Sequence, residues 1–167
     1  MTRRLPARTS VRGVEFIASF EGLRLMPYKA HKSERHWTVG FGHYGPDVNP
    51  VKRITKAQAL ELLRGDLRRF EQAVIRHVPR RWRRQQRQFD ALVSISFNLG
   101  EEVLTAGPPL ESLGQALRAR LPIPRNARRV AAAIRLYHFA GGESLLGLVR
   151  RRNAEARLYR TGNYSTS

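Results

Sequence analysis

Three side chains in the first quarter of the chain, Glu21, Glu34 and Thr38, are of the types that cleavage of a glycosidic bond requires. One carboxylic acid protonates the leaving oxygen in that reaction, while an opposing group activates water or stabilises the oxocarbenium-like centre. Ser10 can cap a first helix that Gly22 stops, so Glu21 is expected in the last turn of that helix. A helix C-terminus disfavours an anion, which suits an acid that keeps its proton. A surface glutamate closing an amphipathic helix is the alternative.

The segment that carries Glu34 and Thr38 has the pattern of a small sheet. From about residue 23 to 54, short aromatic and β-branched pieces such as Trp37-Thr38-Val39 alternate with glycines, prolines and asparagine. We therefore expect a twisted hairpin lobe of about residues 23–54, with a cleft between this lobe and the rest of the chain.

The remainder of the chain reads as helices. Thr55 followed by Gln58 is a capping box, and the apolar face behind it predicts a long helix that ends before Pro79. A central buried helix is expected from about Arg83 to Leu99, ended by Gly100. Shorter helices are expected near Leu110–Arg118, over Ala127–Phe139 and around Leu146–Tyr159, with a Gly141-Gly142 turn before the last one. Together, these elements predict an α+β fold. We expect one domain over residues 1–167, with a mostly helical large lobe.

The composition excludes several classes of protein. No apolar run approaches the roughly 18 residues of a membrane span, and without cysteine there is no disulfide framework, thiol nucleophile or cysteine-based zinc site. The 31 Lys and Arg against 13 Asp and Glu give a formal charge of +18, which attracts polyanions. Arg76–Arg87 is the densest basic run and reads either as a nucleic-acid patch or as a solvated linker and helix start. Zinc-finger, P-loop and RNP motifs do not occur.

Several separated segments resemble one family, the phage-type lysozymes or endolysins of glycoside hydrolase family 24. The similarity covers the active-site hairpin, the central helix and the final helix of that family, in the same order. The matching segments are Phe20–Tyr28, Trp37–Gly45, Gln88–Ser94, Phe97–Gly100 and Gly147–Glu155. The resemblance implies a lysozyme-like fold, with Glu21 as the general acid.

The hairpin departs from the family pattern, which places an Asp nine residues after the Glu and a Thr six residues beyond that Asp. Ala30 stands at the Asp position, and Thr38 comes two residues later than the pattern predicts. Glu34 is the only carboxylate between Glu21 and Thr38, so we take it as the candidate second carboxylate. The alternative is that Glu34 pairs with a neighbouring Arg35 or Lys32 at an exposed turn.

The resemblance also assigns positioning and substrate-binding residues. Thr38 would orient water or contact sugar, and Arg151 aligns with the last-helix arginine that faces the catalytic glutamate. Asn98 would hydrogen-bond an N-acetyl group, or else belong to the cap of its helix. The aromatic residues that could stack on sugar rings, or equally be core, are Trp37, Phe41 and Tyr44.

These assignments imply a peptidoglycan glycosidase that cuts the β-1,4 bond between N-acetylmuramic acid and N-acetylglucosamine. We expect no cofactor and no metal site, because His31, His36 and His43 lack ligand spacing. The expected partners are peptidoglycan and other anionic envelope polymers, with no specific nucleic acid and a monomeric chain. The expected location is the bacterial host cytoplasm before lysis and then the wall, since no signal segment is evident. A non-catalytic cationic wall binder or membrane permeabiliser is the alternative.

Overall fold

The structure, a computed structural model, describes residues 5–105, 112–119, 122–140 and 143–166. These residues form six α-helices and two small antiparallel sheets. The helices are α1 (Val11–Ala18), α2 (Lys56–His77), α3 (Gln86–Leu99), α4 (Leu113–Arg118), α5 (Ile123–Arg135) and α6 (Leu146–Thr161). The strands are β1 (Arg24–Tyr28), β2 (Trp37–Gly40), β3 (His43–Gly45), β4 (Phe139–Ala140) and β5 (Glu143–Ser144). The fold is the expected α+β arrangement, mostly helical with one three-stranded sheet near the N-terminus.

The three-stranded sheet has the order β1-β2-β3. Thr38 lies opposite Tyr28 on one side and Tyr44 on the other, while Val39 lies opposite His43. Because side chains alternate between the two faces of a sheet, Thr38 and Tyr44 share one face and Val39 and His43 share the other. This register decides which hairpin residues look toward the helices.

The helical lobe is built around α3, which packs against α2 and α6. Large side chains such as Trp82, Phe89 and Tyr159 are fully buried there. A buried face on almost every side of α3 is what its apolar sequence predicts, and the prediction of a central helix is confirmed. Gly100 ends this helix at a φ of 92°, a left-handed conformation that glycine adopts without strain.

Three predicted boundaries differ from the structure. Helix α1 ends at Ala18, and two turn hydrogen bonds, from the amide of Phe20 to Ile17 and from that of Glu21 to Ala18, carry the chain beyond it. Glu21 therefore lies just past the helix rather than in its last turn. Helix α3 begins at Gln86, not near Arg83, because a 3-10 turn over Arg80–Trp82 buries Trp82 first.

The third difference concerns α5, which covers Ile123–Arg135 instead of Ala127–Phe139. A proline is tolerated in a first helical turn, so the helix begins earlier than expected. It also ends earlier, since Phe139 pairs with Ser144 as a strand. The capping box of α2 is confirmed, with reciprocal hydrogen bonds between Thr55 and Gln58. Residues 110–111 of the expected short helix and the Gly141-Gly142 turn lie outside the described residues.

Candidate active site

Glu21 lies at the end of α1 and faces the last helix. Its Oε1 atom accepts a hydrogen bond from the guanidinium of Arg151 at 2.7 Å, across 130 residues of sequence. The Glu21 side chain is 25% exposed and that of Arg151 only 5%. A buried cation therefore holds a partly accessible carboxylate in a fixed orientation. The ring of Phe20 lies against the same guanidinium, 5.2 Å from its carbon to the ring centroid.

The Arg151 side chain is itself held in place by a buried carboxylate, that of Glu155. Its Nε donates to Oε1 of Glu155 at 3.2 Å, and the hydroxyl of Ser94 donates to the same oxygen at 2.7 Å. Arg152 lies 3.1 Å from the other oxygen of Glu155. Glu155 is completely buried, so two helices, α3 and α6, are joined by one carboxylate and two guanidiniums beneath Glu21.

Burial and charge oppose each other in this network. Loss of solvation raises the pKa of Glu155, while Arg152, Arg151 and the Ser94 hydroxyl oppose the rise. Burial likewise lowers the pKa of Arg152, against the attraction of Glu155. Each ionised group therefore depends on its partner, and removal of one would leave an uncompensated charge in the interior.

In the hairpin, Glu34 contacts the backbone of Ala30, the residue that stands where the family pattern has its aspartate. One Glu34 oxygen, Oε2, accepts the backbone N–H of Ala30 at 2.9 Å. The Lys29 ammonium donates to the carbonyl of Glu34 at 2.7 Å and fixes the same turn. The carboxylate thus lies against the backbone of residue 30, and the described chain shows no ion pair between Glu34 and either Arg35 or Lys32.

Thr38 and Tyr44 share one face of the sheet, opposite to the face on which His43 bonds to Asp66 of α2. Tyr44 lines a groove of about 590 Å³ between the sheet and the helical lobe. The other walls of this groove are Gly42, residues of α2 (Gly65, Asp66, Arg68, Arg69 and Phe70) and Phe97 of α3. Thr38 is 8% exposed, and its hydroxyl forms no hydrogen bond with any other described residue. The sheet register therefore puts Thr38 on the same face as Tyr44, and of the two only Tyr44 lines the groove.

Asn98 lies near the end of α3 and directly follows Phe97, which lines the groove. Its Oδ1 accepts a hydrogen bond from Arg152 at 2.6 Å. A guanidinium only donates, so the amide nitrogen of Asn98 must face away from Arg152. The residue is exposed, which leaves its N–H groups directed at solvent or a ligand.

Two of the predicted aromatic residues lie elsewhere. Phe41 is 8% exposed and belongs to the main core, so its ring packs internally instead of offering a surface to sugar. Trp37 neighbours Thr38 on the same strand and therefore points to the opposite sheet face, where the Lys29 ammonium lies 5.4 Å from its ring centroid. We leave both out of the groove.

Sequence reasoning missed the supporting role of Glu155 and Ser94. Both residues lie in segments that resemble the family, yet neither was selected as a site residue. The spacing of Arg151 and Glu155, four apart on a helix, is a signal for an ion pair. Their complete burial could not be read from a helix that is polar on most of its surface.

The face of the sheet that carries Val39 and His43 lies against a second cavity. A cavity of about 680 Å³ includes Val39, His43 and Asp47 but none of the predicted catalytic side chains. His43 bridges Asp66 of α2, at 2.9 Å, and Asp47, at 3.0 Å. We therefore assign His43 to holding the sheet on α2. No cluster of metal-binding type and no helix fit to cross a bilayer occurs in the described parts of the chain.

Most of the chain is similar to known proteins. The phage lysozyme family model matches residues 18–155. The chain is 38% identical over 150 residues to an endolysin of Bacillus phage PZA, covering 90% of this chain and 54% of that protein. It thus spans about half the length of the curated relatives it matches first.

Two solved structures cover nearly the whole chain. An endolysin from Escherichia coli O157:H7 phage FAHEc1 has a TM-score of 0.74 at 29% identity, covering 95% of this chain and 96% of that one. A variant of P22 lysozyme has a TM-score of 0.72 at 31% identity, covering 91% and 97%. The chain belongs to the phage lysozyme family.

Proposed function

We propose that this chain is a muramidase, which hydrolyses the β-1,4 bond between N-acetylmuramic acid and N-acetylglucosamine in peptidoglycan and so lyses bacterial cells. The observation that carries the proposal is the 2.7 Å contact between the partly exposed Glu21 and the buried Arg151. Membership of the phage lysozyme family supports it.

Glu21 is the proposed general acid. Arg151 donates to Oε1, so Oε2 is the oxygen that carries the proton to the leaving sugar oxygen. The guanidinium is anchored by Glu155 and Ser94, which limits the conformations that Glu21 samples. Fixed orientation of this kind lowers the entropic cost of reaching the reactive geometry.

Glu34 and Thr38 are the proposed second set of groups. Glu34 keeps one oxygen on the amide of Ala30, and its other oxygen is available to polarise water or stabilise the cationic sugar. Thr38 would orient that water or contact the sugar from the sheet. Tyr44 and Asn98 would bind the glycan in the groove, with Asn98 donating to an acyl oxygen.

The test compares Glu21→Gln with a matched variant on the preceding helix α1, Glu15→Gln, which removes an exposed carboxylate. We expect Glu21→Gln to lose almost all clearing of permeabilised cells and Glu15→Gln to keep it. Mass spectrometry of digested peptidoglycan should show reducing muramic acid ends. If Glu21→Gln clears the suspension as fast as the parent protein, the chain is a cationic binder or permeabiliser instead.

We further propose that residues 1–167 act as one monomeric domain with a small lobe over about 23–54, and that anionic envelope polymers attract it. The proposed location is the host cytoplasm before lysis and the cell wall afterwards. The +18 charge supports an anionic partner. Sedimentation of the purified chain and fractionation of cells before and after lysis test these points.

A further inference from the structure

The helices that meet at the candidate active site also meet at their other ends. Near the site lie Glu21 after α1, Asn98 at the end of α3 and Arg151 early in α6. At the far ends, Ser10 before α1 bonds to Asp90 in the first half of α3. Arg87 in the first turn of α3 donates to the carbonyl of Arg160 near the end of α6.

At 1.5 Å per residue, the 14 residues of α3 separate these two ends by about 20 Å. The far end carries eight arginines from three parts of the chain, which we call the arginine pole. Its members are Arg8, Arg12, Arg76, Arg80, Arg81, Arg84, Arg87 and Arg160. The pole is thus a second surface, separate from the groove.

Negative charge is sparse on this surface within the described residues, where Glu15, one turn after Arg12 in α1, is an exposed carboxylate. No Asp or Glu occurs in residues 1–14, in 72–89 or after Glu155. Two other carboxylates that bond to residues at this end of the helices are buried. Asp90, fully buried, accepts from Ser10, Gln86 and Tyr164, and Glu71, 3% exposed, accepts from Thr9 and Arg8. Of the eight arginines, Arg8 alone forms an ion pair within the described residues.

The central loop of the pole is rigidly anchored. Trp82 is fully buried, and the hydroxyl of Tyr159 donates to its carbonyl at 3.1 Å. Arg83 is also buried and donates to the carbonyls of Val78 and Ile75 at the end of α2. These two inward-facing residues leave Arg80, Arg81 and Arg84 exposed on a fixed backbone. Less flexibility is therefore lost when a ligand binds than on a mobile tail.

We propose that the arginine pole binds a linear phosphodiester polymer of the bacterial envelope, while the groove holds glycan. The planar guanidinium fork matches phosphate oxygens, and several spaced arginines match a repeating charge. Location at the wall rests on the proposed function, whereas binding by the pole does not require catalysis.

The exposed surface favours such a polymer over two other polyanions. Membrane-surface binding needs apolar side chains that enter the lipid, and Val11 is the single large exposed hydrophobic residue in the described chain at this end. Binding of single-stranded nucleic acid relies on exposed aromatic rings for base stacking, but Trp82 and Tyr159 are fully buried. A phosphodiester polymer without bases needs neither feature.

The test measures binding of purified poly(glycerol phosphate) to the triple variant R80Q/R81Q/R84Q. Its matched control, K52Q/R53Q/K56Q, removes three exposed cations before and at the start of α2, whose 22 residues span about 33 Å. We expect the pole variant to bind the polymer about tenfold or more weakly. Its affinity should also depend less steeply on salt concentration, because fewer phosphate contacts mean that fewer counterions are released on binding. The control should change by less than about twofold.

Glu21→Gln should bind the polymer like the parent chain, which separates failure of this inference from failure of the proposed enzyme. Thermal melts confirm folding of each variant. Equal losses in the two triple variants would show that net charge, not the pole, determines binding. A parent chain that ignores the polymer, or a pole variant that loses binding to anionic vesicles or duplex DNA but keeps the polymer, would also overturn the proposal.

Discussion

Glu155 determines how firmly the site residues are held, although it touches no proposed ligand. Its carboxylate is fully buried and compensates both Arg151 and Arg152. Replacement of a buried pair by apolar groups is often tolerated, but removal of one partner leaves a buried charge exposed to a low-dielectric interior. Replacement of Glu155 by a neutral side chain of the same shape should therefore destabilise the folded protein strongly.

We expect Glu155→Gln to lower the free energy of unfolding by about 3–5 kcal/mol, the usual cost of breaking a buried ion pair from one side. Urea denaturation at neutral pH measures the change, with Glu15→Gln as the surface control. A loss below about 1 kcal/mol would mean that Arg151 and Arg152 find other compensation.

At Glu34, the effect of losing the charge can be measured without disturbing the local structure. The Glu34→Gln side chain keeps an oxygen that accepts the Ala30 amide, so the turn should survive. If the carboxylate takes part in acid–base work, the rate of peptidoglycan hydrolysis should fall on the order of a hundredfold. The measurement is the release of reducing ends from purified peptidoglycan.

The control for Glu34 restores a carboxylate at the other candidate position. Ala30→Asp in the Glu34→Gln background should recover activity, because the two residues share one turn. A nearly silent Glu34→Gln would transfer the second role to Thr38 and water. The structure supports Glu34 only through its contact with residue 30, so this experiment decides its role.

Helix ends that are determined by neighbouring residues in the sequence could be predicted from the sequence. The capping box of Thr55 and Gln58 spans only four residues of sequence, and Gly100 ends α3 because glycine adopts a positive φ without strain. The end of the α5 helix depended on strand pairing of Phe139 instead, which helical periodicity does not report. The ion pair of Glu21 joins residues 130 positions apart, so only resemblance to a family could suggest it.

The sheet is fastened to α2 through a titratable residue. Burial by itself lowers the pKa of His43, but the hydrogen bonds and charges of Asp66 and Asp47 outweigh it and raise the pKa above its ordinary value. The same contact lowers the pKa of Asp47, mainly through its hydrogen bond to His43. The attachment between lobes therefore depends on pH.

A raised folded-state pKa means that the stabilisation by His43 is complete below its unfolded pKa of about 6.5 and disappears as pH rises through the folded value. The advantage of the parent chain over His43→Gln in unfolding free energy should be largest near pH 6 and shrink in alkali. In acid it should also shrink, as Asp47 becomes protonated. Urea denaturation across this range measures it, with exposed His31→Gln as the control. An advantage that grows above pH 7 would contradict the assignment.

The two proposed sites lie at opposite ends of α1, α3 and α6. The groove and Glu21 lie at one end of these helices and the arginine pole at the other. Because the helices pack into one core, binding at the pole need not distort the site. It would raise the local concentration of glycan at the groove, since both polymers belong to the same wall.

The net charge of +18 adds a long-range effect to this arrangement. Attraction between the protein and an anionic wall is screened beyond a Debye length of about 10 Å at 0.1 M salt. The rate of wall clearing should therefore fall steadily as sodium chloride rises from about 20 to 300 mM, whereas hydrolysis of short soluble glycan fragments of peptidoglycan, which carry few charges, should fall much less. Turbidity and reducing-end assays of the same preparation measure both. A flat profile on walls would show that encounter is not electrostatically steered, and an equal fall on both substrates would place the salt effect in the active site itself.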